Sequence, residues 1–158
     1  MKKIFLLLLF PCYLSALNHT DYMTPYFSPG IQLGINTNME FFASLQITIG
    51  LVNTNFINEE FSPIPGLTIG KRFYYTKNKQ WDSYNYMDGQ IGTGLLGVGY
   101  GFITDGNKRY NKFKLFGGLW GLLSYDYINW DNSKHHFGIF GVLPIIYDGY
   151  KSRFKILS

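Results

Sequence analysis

Apolar and polar residues alternate with a period of two along most of the chain after residue 26. The clearest run covers residues 41–51. One face of this run carries Phe41, Ala43, Leu45, Ile47, Ile49 and Leu51. The other face carries Phe42, Ser44, Gln46, Thr48 and Gly50. Because successive side chains of a strand point to opposite faces, this run predicts a β-strand with one apolar and one polar face.

The same period predicts more strands, separated by polar turns. They cover 27–36, 66–76, 81–103, 110–127 and 136–146, with a short final strand at 151–157. Segment 81–103 is too long for one ordinary strand, and Asp88-Gly89 marks a turn or bulge within it. Gly117-Gly118 marks a kink in the next long segment, and Pro144 predicts an edge or bulge in the last.

Neither strand–helix alternation nor an amphipathic helical stretch is found along the chain. The connections are short, which favours antiparallel pairing of neighbouring strands. We therefore predict an all-β fold, an antiparallel meander closed into a small barrel of about eight strands, with six to eight supported by the pattern. The barrel domain covers 27–158, and the polar segment 17–26 is an irregular lead-in.

Residues 1–16 have the three parts of a cleavable secretory signal peptide. Two lysines at 2–3 precede the apolar run 4–10, and small residues follow at 14–16. That apolar run is about half the ~20 residues that a membrane-spanning helix needs, which disfavours an N-terminal anchor. Lipid attachment at Cys12 is disfavoured because the residues before it are bulky and rigid. Cys12 is the only cysteine, so the mature chain is expected to have no disulfide.

Composition narrows the class of protein. Removing the two signal lysines leaves 12 basic against 10 acidic residues, and the basic ones are scattered, so no nucleic-acid partner is expected. Aromatic residues make up 19% of the chain and charged residues 15%, where about a quarter is usual for charged residues. Low charge with many aromatic residues fits a β-rich protein whose outer surface is apolar.

Period-two strands fit two architectures, which differ in the solvent that meets their apolar faces. In a soluble sandwich or barrel these faces form the core, and in a membrane barrel they contact lipid. Long strands, export and aromatic residues near strand ends favour lipid. The predicted lipid-facing residues are Leu45, Ile47, Ile49, Leu96, Val98 and Ile139. The predicted aromatic girdle consists of Tyr26, Phe73, Tyr75, Trp81, Tyr84, Tyr125, Tyr127, Trp130 and Tyr147.

In its signal and its strand pattern from Phe27 to Ile146, the chain resembles the small bacterial outer-membrane β-barrels. The resemblance is architectural and includes no diagnostic motif. It implies membrane lipid as the partner and the outer membrane as the location. Proteins of this class usually end on an aromatic residue, whereas this chain ends on Ser158.

Candidate chemistry is sparse. The residue types of a hydrolase are present in Ser124, His136 and Asp126 or Asp131, but no nucleophile motif accompanies them. The adjacent His135 and His136 should point to opposite faces of a strand, so both cannot serve one site. These histidines also lack the spacing of a metal site. The GxGxG run at 97–101 is followed by no helix, so its glycines are expected to bend strands or leave room inside a barrel. We expect no catalytic residue, metal or cofactor.

The faces on which charged residues fall within the predicted strands provide a test of the barrel prediction. Arg72, Lys112 and Lys114 fall on polar faces, where Asp126 or Glu40 could pair with them in the interior or lipid phosphates could meet them at the rim. Lys71 falls on an apolar face and should lie near a membrane interface, with its amine reaching water.

The function expected from the sequence is that of an exported, non-enzymatic outer-membrane barrel with a structural or interaction role. The alternative is a soluble periplasmic or secreted β-domain that binds an apolar or carbohydrate ligand. A lipid-modifying barrel enzyme is a distant third. The sequence identifies no protein partner.

Overall fold

The computed structural model of the chain describes residues 23–53, 63–93, 95–118, 123–131, 133–148 and 153–156. These ranges form β1 (Met23–Asn36), β2 (Phe41–Asn53), β3 (Ile64–Tyr75), β4 (Trp81–Gly92), β5 (Leu96–Thr104), β6 (Arg109–Gly117), β7 (Leu123–Ile128), β8 (His135–Val142), β9 (Ile145–Asp148) and β10 (Arg153–Ile156). Within them, no helix is long and apolar enough to cross a bilayer. The predicted signal peptide at 1–16 lies outside the described residues.

Strands β1 to β8 form a closed antiparallel barrel. Each strand pairs with the next one along the chain, and β1 also pairs with β8. β9 continues along the same edge of β1, where Phe27 pairs with Ile145, and β10 pairs with β9. The predicted all-β antiparallel meander, closed into a barrel of about eight strands, is confirmed.

The register determines the tilt of the strands. From Tyr26 on β1, successive partners lead around the barrel through Gly50, Gly66, Gln90, Gly99, Lys114, Asp126 and His136. His136 pairs with Asn36, which lies ten residues beyond Tyr26 on β1, so the barrel has a shear of ten. With eight strands at ordinary spacings, this shear tilts the strands by about 40° from the barrel axis.

The two ends of the barrel carry different connections. We call the end that carries the β1–β2, β3–β4, β5–β6 and β7–β8 turns the upper end, and the end where β1 begins at Met23 the lower end. In the β5–β6 turn, Asp105 Oδ1 accepts hydrogen bonds from the backbone N–H groups of Lys108 at 2.7 Å and Asn107 at 2.8 Å. These bonds lower the pKa of the Asp105 carboxyl group. They support the hairpin turn predicted at 105–107.

Alternate side chains point into and out of the barrel. In β2, Phe42, Ser44, Gln46 and Thr48 are buried, and the residues between them are exposed or half-buried. The buried charged and imidazole side chains of the described strands are Arg72, Asp88, Lys112, Lys114, Asp126 and His136. This distribution is the reverse of that in a protein folded in water, where lysine, arginine and aspartate are rarely buried.

The outer surface carries a band of apolar side chains, which we call the outer belt. It consists of Ile31, Leu33, Leu45, Ile47, Ile49, Leu67, Ile69, Met87, Ile91, Leu96, Val98, Phe113, Leu115, Leu123, Phe137 and Ile139, and each is at least 36% exposed. All eight barrel strands contribute to it. Along β2, the outward apolar positions from Phe41 to Leu51 span about 25 Å of the barrel axis at the tilt given above.

Two long segments of the sequence divide differently from the prediction. Segment 81–103 forms β4 and β5, and the chain reverses between Gly92 and Leu96. The turn is closed by Thr93, whose backbone N–H donates to the carbonyl of Leu96 at 2.7 Å. The prediction of a turn or bulge at Asp88-Gly89 was wrong because both residues lie within β4. Segment 110–127 is a β6–β7 hairpin rather than one kinked strand.

The ends of β8 and β1 also bear on the prediction. β8 stops at Val142 and β9 starts after Pro144, so the predicted strand 136–146 is interrupted at this proline, where an edge or bulge was predicted. Both parts keep one register on β1, from Gly30–Val142 to Phe27–Ile145. At the break, the backbone N–H of Leu143 donates to the carbonyl of Pro29 at 2.9 Å, which keeps the chain against β1. β1 begins at Met23, so residues 23–26 belong to the barrel and not to the irregular lead-in.

Candidate functional site

The interior of the barrel is the candidate site, and its centre is an ion pair between opposite strands. Arg72 on β3 contacts Asp126 on β7 with 2.5 Å between Nη2 and Oδ2, and both side chains are fully buried. The same Nη2 donates to Gln32 Oε1 at 2.8 Å, and Nε donates to Ser44 Oγ at 2.8 Å. The guanidinium also lies 4.3 Å from the ring centroid of Phe42. Arg72 therefore connects β1, β2 and β7 through the interior, and its expected pairing with Asp126 is confirmed.

A second ion pair joins β6 to β4. Lys112 Nζ lies 2.5 Å from Asp88 Oδ2, and both side chains are fully buried. The ammonium group also lies 4.1 Å from the ring centroid of Tyr86. Glu40 was the other possible partner of Arg72, Lys112 and Lys114 in the sequence-based prediction. It instead accepts a hydrogen bond in the β1–β2 turn from Asn36 at 2.8 Å. Paired and hydrogen-bonded charges of this kind hold strands that are not adjacent in the barrel in one arrangement, because separating either pair leaves a buried charge alone.

Aromatic rings fill the interior above the ion pairs. The ring centroid of Trp130 lies 4.8 Å from that of Tyr84, 5.2 Å from that of Tyr74 and 5.6 Å from that of Tyr110. We call these four residues the upper cluster. The cluster packs on buried Ile128 and its neighbours, so the upper half of the barrel has a side-chain core.

A cavity of about 100 Å³ lies below the ion pairs, and we call it the lower chamber. Its polar wall includes Lys114, Ser28 and Thr48, and its apolar wall includes Phe140 and Val142. Lys114 is only 1% exposed. The ammonium group of this lysine lies 5.0 Å from the ring centroid of Phe140.

The inward face of β5 consists largely of glycine, and this gives room to larger interior side chains. A Cβ atom added at Gly97 would lie 2.1 Å from the ring of Phe116, which lines the lower chamber. One added at Gly99 would contact the Cβ of Lys114 at 3.5 Å. The glycines of the GxGxG run thus leave room inside the closed barrel, as predicted.

The hydrolase candidates point into the same interior but bond to other groups. Ser124 Oγ donates to the carbonyl of Gly138 at 3.2 Å and accepts from Gln32 Nε2 at 2.7 Å. The ring of His136 packs 5.6 Å from that of Tyr74. Asp126, the third candidate, is held by the arginine on β3. The serine and the carboxylate are therefore occupied by structural partners.

The two adjacent histidines point in opposite directions, as predicted. His136 is fully buried, and His135 points outward, where its Nδ1 lies 2.7 Å from the hydroxyl of Tyr125. Asp131 is exposed near the upper end. Within the described ranges, no three histidine, cysteine, aspartate or glutamate residues converge on a possible metal position.

The predicted girdle residues are divided between the two surfaces. Phe73, Tyr125 and Tyr127 are half-buried on the outer face, and Tyr75 and Trp81 are 40% and 57% exposed. Tyr26, Tyr84 and Trp130 point into the interior instead, so their assignment to an outer girdle was wrong. The reason is the alternation itself, since Tyr84 shares its face of β4 with Tyr86 and Asp88. Tyr147 lies in β9, and its side chain is outside the described part of the chain.

All six residues predicted to face lipid point outward. Leu45, Ile47, Ile49, Leu96, Val98 and Ile139 are between 43% and 70% exposed. Sequence reasoning missed two interior features, Asp88 as an ion-pair partner and the lower chamber. Asp88 shares its face of β4 with Tyr84 and Tyr86, but the prediction of Tyr84 in the outer girdle hid this signal.

No family model matches the chain, and no curated protein or solved structure is significantly similar to it. The function must therefore be inferred from the geometry of the barrel. That geometry combines an apolar exterior, an interior fixed by ion pairs and aromatic packing, and one chamber at the lower end.

Proposed function

We propose that the protein is a non-enzymatic integral β-barrel of a bacterial outer membrane, whose outer belt faces lipid. The observation that carries this proposal is the reversed polarity of the barrel, with charges inside and aliphatic side chains outside on all eight strands. Lipid-exposed barrels have this distribution, because hydrocarbon solvates the apolar face and the enclosed lumen holds the polar one. In water, the same belt would exceed the few hundred Å² of contiguous apolar surface that is usual for monomers.

The dimensions of the barrel support the same proposal. β1 to β4 contain 14, 13, 12 and 12 residues, β5 and β6 contain 9 each, and β7 and β8 are shorter, with 6 and 8. A tilted strand needs about 9 to 11 residues to cross the hydrocarbon core. The outward apolar span of about 25 Å along β2 equals the usual height of the lipid-facing band. Closure through β1 and β8 also satisfies the backbone groups that hydrocarbon would leave unbonded.

The position of Lys71 supports an upper boundary for the lipid-facing band. Lys71 points outward, and its ammonium group lies 5.6 Å from the ring of Phe73. Its register partner on β4 is Asn85, which pairs in turn with Thr104 on β5, and Thr104 pairs with Arg109 on β6. This polar row limits the apolar band on β3 to β6 only, because on β2 the partner of Lys71 is Leu45 of the outer belt. A lysine here reaches interfacial water with its amine while its stem remains against apolar neighbours.

The packed interior favours a structural or interaction role over transport. Barrels of eight strands are narrow enough for side chains to fill. The ion pairs and the upper cluster occupy the central and upper interior, which argues against a wide pore. The sequence-based alternative, a soluble β-domain, requires its apolar faces inside, whereas the central interior here is charged.

A charge scan in lipid tests the proposal. The full chain is folded into phospholipid vesicles, and the free energy of unfolding is measured in urea for Ile47→Lys and for Met39→Lys. Ile47 lies in the outer belt, and Met39 is 79% exposed in the β1–β2 turn. We expect Ile47→Lys to cost about 2–4 kcal/mol, as a lysine near the bilayer midplane does. Met39→Lys should change stability by about 0.5 kcal/mol or less.

Cell fractionation provides an independent test. After expression in a Gram-negative host, the protein should sediment with outer membranes and run at a different gel mobility before and after boiling. Recovery in the soluble periplasmic fraction, together with an Ile47→Lys variant as stable as the Met39→Lys control, would show that the belt does not meet lipid.

A further inference from the structure

The described strands bury one more cation in the interior than they have carboxylates to neutralise. Its buried lysine and arginine residues in the described strands are Arg72, Lys112 and Lys114, and its buried carboxylates are Asp88 and Asp126. The two ion pairs found in the described ranges use Arg72 and Lys112. Lys114 belongs to neither pair. Its register partner on β7 is Asp126, whose Oδ2 is held by Arg72, so three cations share two carboxylates in the described strands. An excess buried charge is strongly unfavourable, so a further anion is expected near this lysine.

The side chain of Lys114 is directed into the lower chamber. Lys114 lines the chamber, and its ammonium group lies 5.0 Å from the ring of Phe140 and 5.3 Å from that of Phe116. Ring faces attract a cation but accept no conventional hydrogen bond from it. Ser28 lines the same chamber at 3% exposure, and its hydroxyl has no hydrogen-bond partner among the described residues. Two buried donors thus face one small space.

The wall also contains Gln46, Thr48 and Gln90, and the Oε1 atom of Gln90 has no hydrogen-bond partner among the described residues, whereas the part nearer the lower end is suited to hydrocarbon. Towards the lower end, the wall is formed by Val52, Ile64, Val142 and Ile146. The volume of about 100 Å³ is less than the 150 Å³ of a cavity that holds benzene. It therefore has room for a carboxylate and the first few carbons of an alkyl chain. An inorganic anion would leave the apolar wall without contacts, and a sugar would leave its hydroxyls unbonded there.

We propose that the lower chamber binds a monocarboxylate of the fatty-acid class. Its carboxylate accepts hydrogen bonds from the ammonium group of Lys114 and the hydroxyl of Ser28, and its alkyl chain extends past Val142 towards the lower end. This site goes beyond the structural role proposed above. It does not depend on that role, because the chamber is enclosed by the same barrel in a micelle or in a bilayer.

Binding of hexanoate to the folded full chain in non-ionic micelles tests this site. Hexanamide serves as the uncharged analogue and acetate as the analogue that lacks most of the alkyl chain, and each dissociation constant is measured by titration calorimetry. We expect one hexanoate per chain. Hexanamide should bind about tenfold more weakly or worse, because it cannot form the charge-assisted bond. Acetate should also bind more weakly, because it buries fewer methylene groups.

Three variants connect the binding to the chamber. Lys114→Met removes the charge and keeps an unbranched side chain, so it should abolish the preference for hexanoate over hexanamide without weakening the barrel. Val142→Phe leaves the ammonium group in place and fills the chamber, so it should abolish binding of both. Lys108→Met, in the exposed β5–β6 turn, should leave the affinity unchanged.

Equal affinity of the wild type and Lys114→Met for hexanoate would overturn the proposal, as would the lack of saturable binding in the wild type. Heat-modified gel mobility, measured for every variant, shows that the compared proteins are folded.

Discussion

At the residue scale, the central ion pair matters because its arginine is fixed by several partners. Arg72 is bonded to Asp126, Gln32 and Ser44, and Gln32 also donates to Ser124. In a medium of low dielectric constant, such a network is favourable only when its members are satisfied. The loss of one member should therefore cost more than the simultaneous removal of a pair.

Removing the carboxylate of the central ion pair tests this network. We expect Asp126→Asn to lower the free energy of unfolding by about 3–5 kcal/mol, because it leaves a buried guanidinium without its counter-ion. The exposed Asp131→Asn is the matched control and should be nearly neutral. The measurement is urea unfolding in vesicles or micelles.

The double variant Arg72→Met with Asp126→Leu distinguishes loss of a partner from loss of packing. It removes both charges and should be more stable than Asp126→Asn alone. A double variant that loses at least as much stability as the two single variants together would contradict the network described above.

At the element scale, the alternation of the sequence predicts which face each residue shares. The two faces of β2 and of β5 were predicted correctly. A shift of one residue would exchange the apolar and polar faces of a strand, so the alternation leaves one assignment. Turn positions were harder to predict. The chain reverses at Thr93, which bonds to the carbonyl of Leu96. The stronger turn signal, Asp88-Gly89, lies within β4, where Asp88 pairs with Thr68 on β3 and Gly101 on β5.

Partners across the barrel depend on its shear, which no local pattern contains. A shear of ten brings Arg72 on β3 within reach of Asp126 on β7, four strands away. The faces of both residues were predictable, and the pairing was one of the predicted options. The lower chamber was not predictable, since it depends on which interior side chains leave space unfilled.

Two C-terminal truncations test which elements close the barrel. β8 pairs with β1 over seven residues, from Gly30–Val142 to Asn36–His136, whereas β10 pairs only with β9. A chain ending at Asp148 should therefore still fold in vesicles, with β-rich circular dichroism and heat-modified gel mobility. A chain ending at Ser133 lacks β8 and should not fold, because two strand edges would face hydrocarbon.

The opposite result would show that closure depends on the last hairpin. If the chain ending at Asp148 fails to fold while a Phe154→Ala variant of the full chain folds, the backbone pairing of β10 is required. In that case the β1–β8 seam alone is insufficient.

At the scale of the whole molecule, the interior has three levels with different physical roles. The upper cluster packs aromatic rings, the middle level pairs charges, and the lower chamber leaves space next to a cation. Only the lower level has an evident cavity among the described residues that line the interior. A ligand entering from the lower end would therefore stop at the ion pairs rather than cross the barrel.

This arrangement predicts a barrel that does not conduct ions. Arg72, Lys112, Asp88 and Asp126 are fully buried, so the middle level leaves no room for a hydrated ion. Passage would also require separating an ion pair within the interior, which is strongly unfavourable. Folded protein in a planar bilayer should thus give no stable conductance steps in potassium chloride. The same sample must show heat-modified gel mobility, so that a lack of conductance steps cannot be due to unfolded protein. Reproducible steps whose frequency rises with protein concentration would contradict the packed interior, and their loss in Val142→Phe would place the path through the lower chamber.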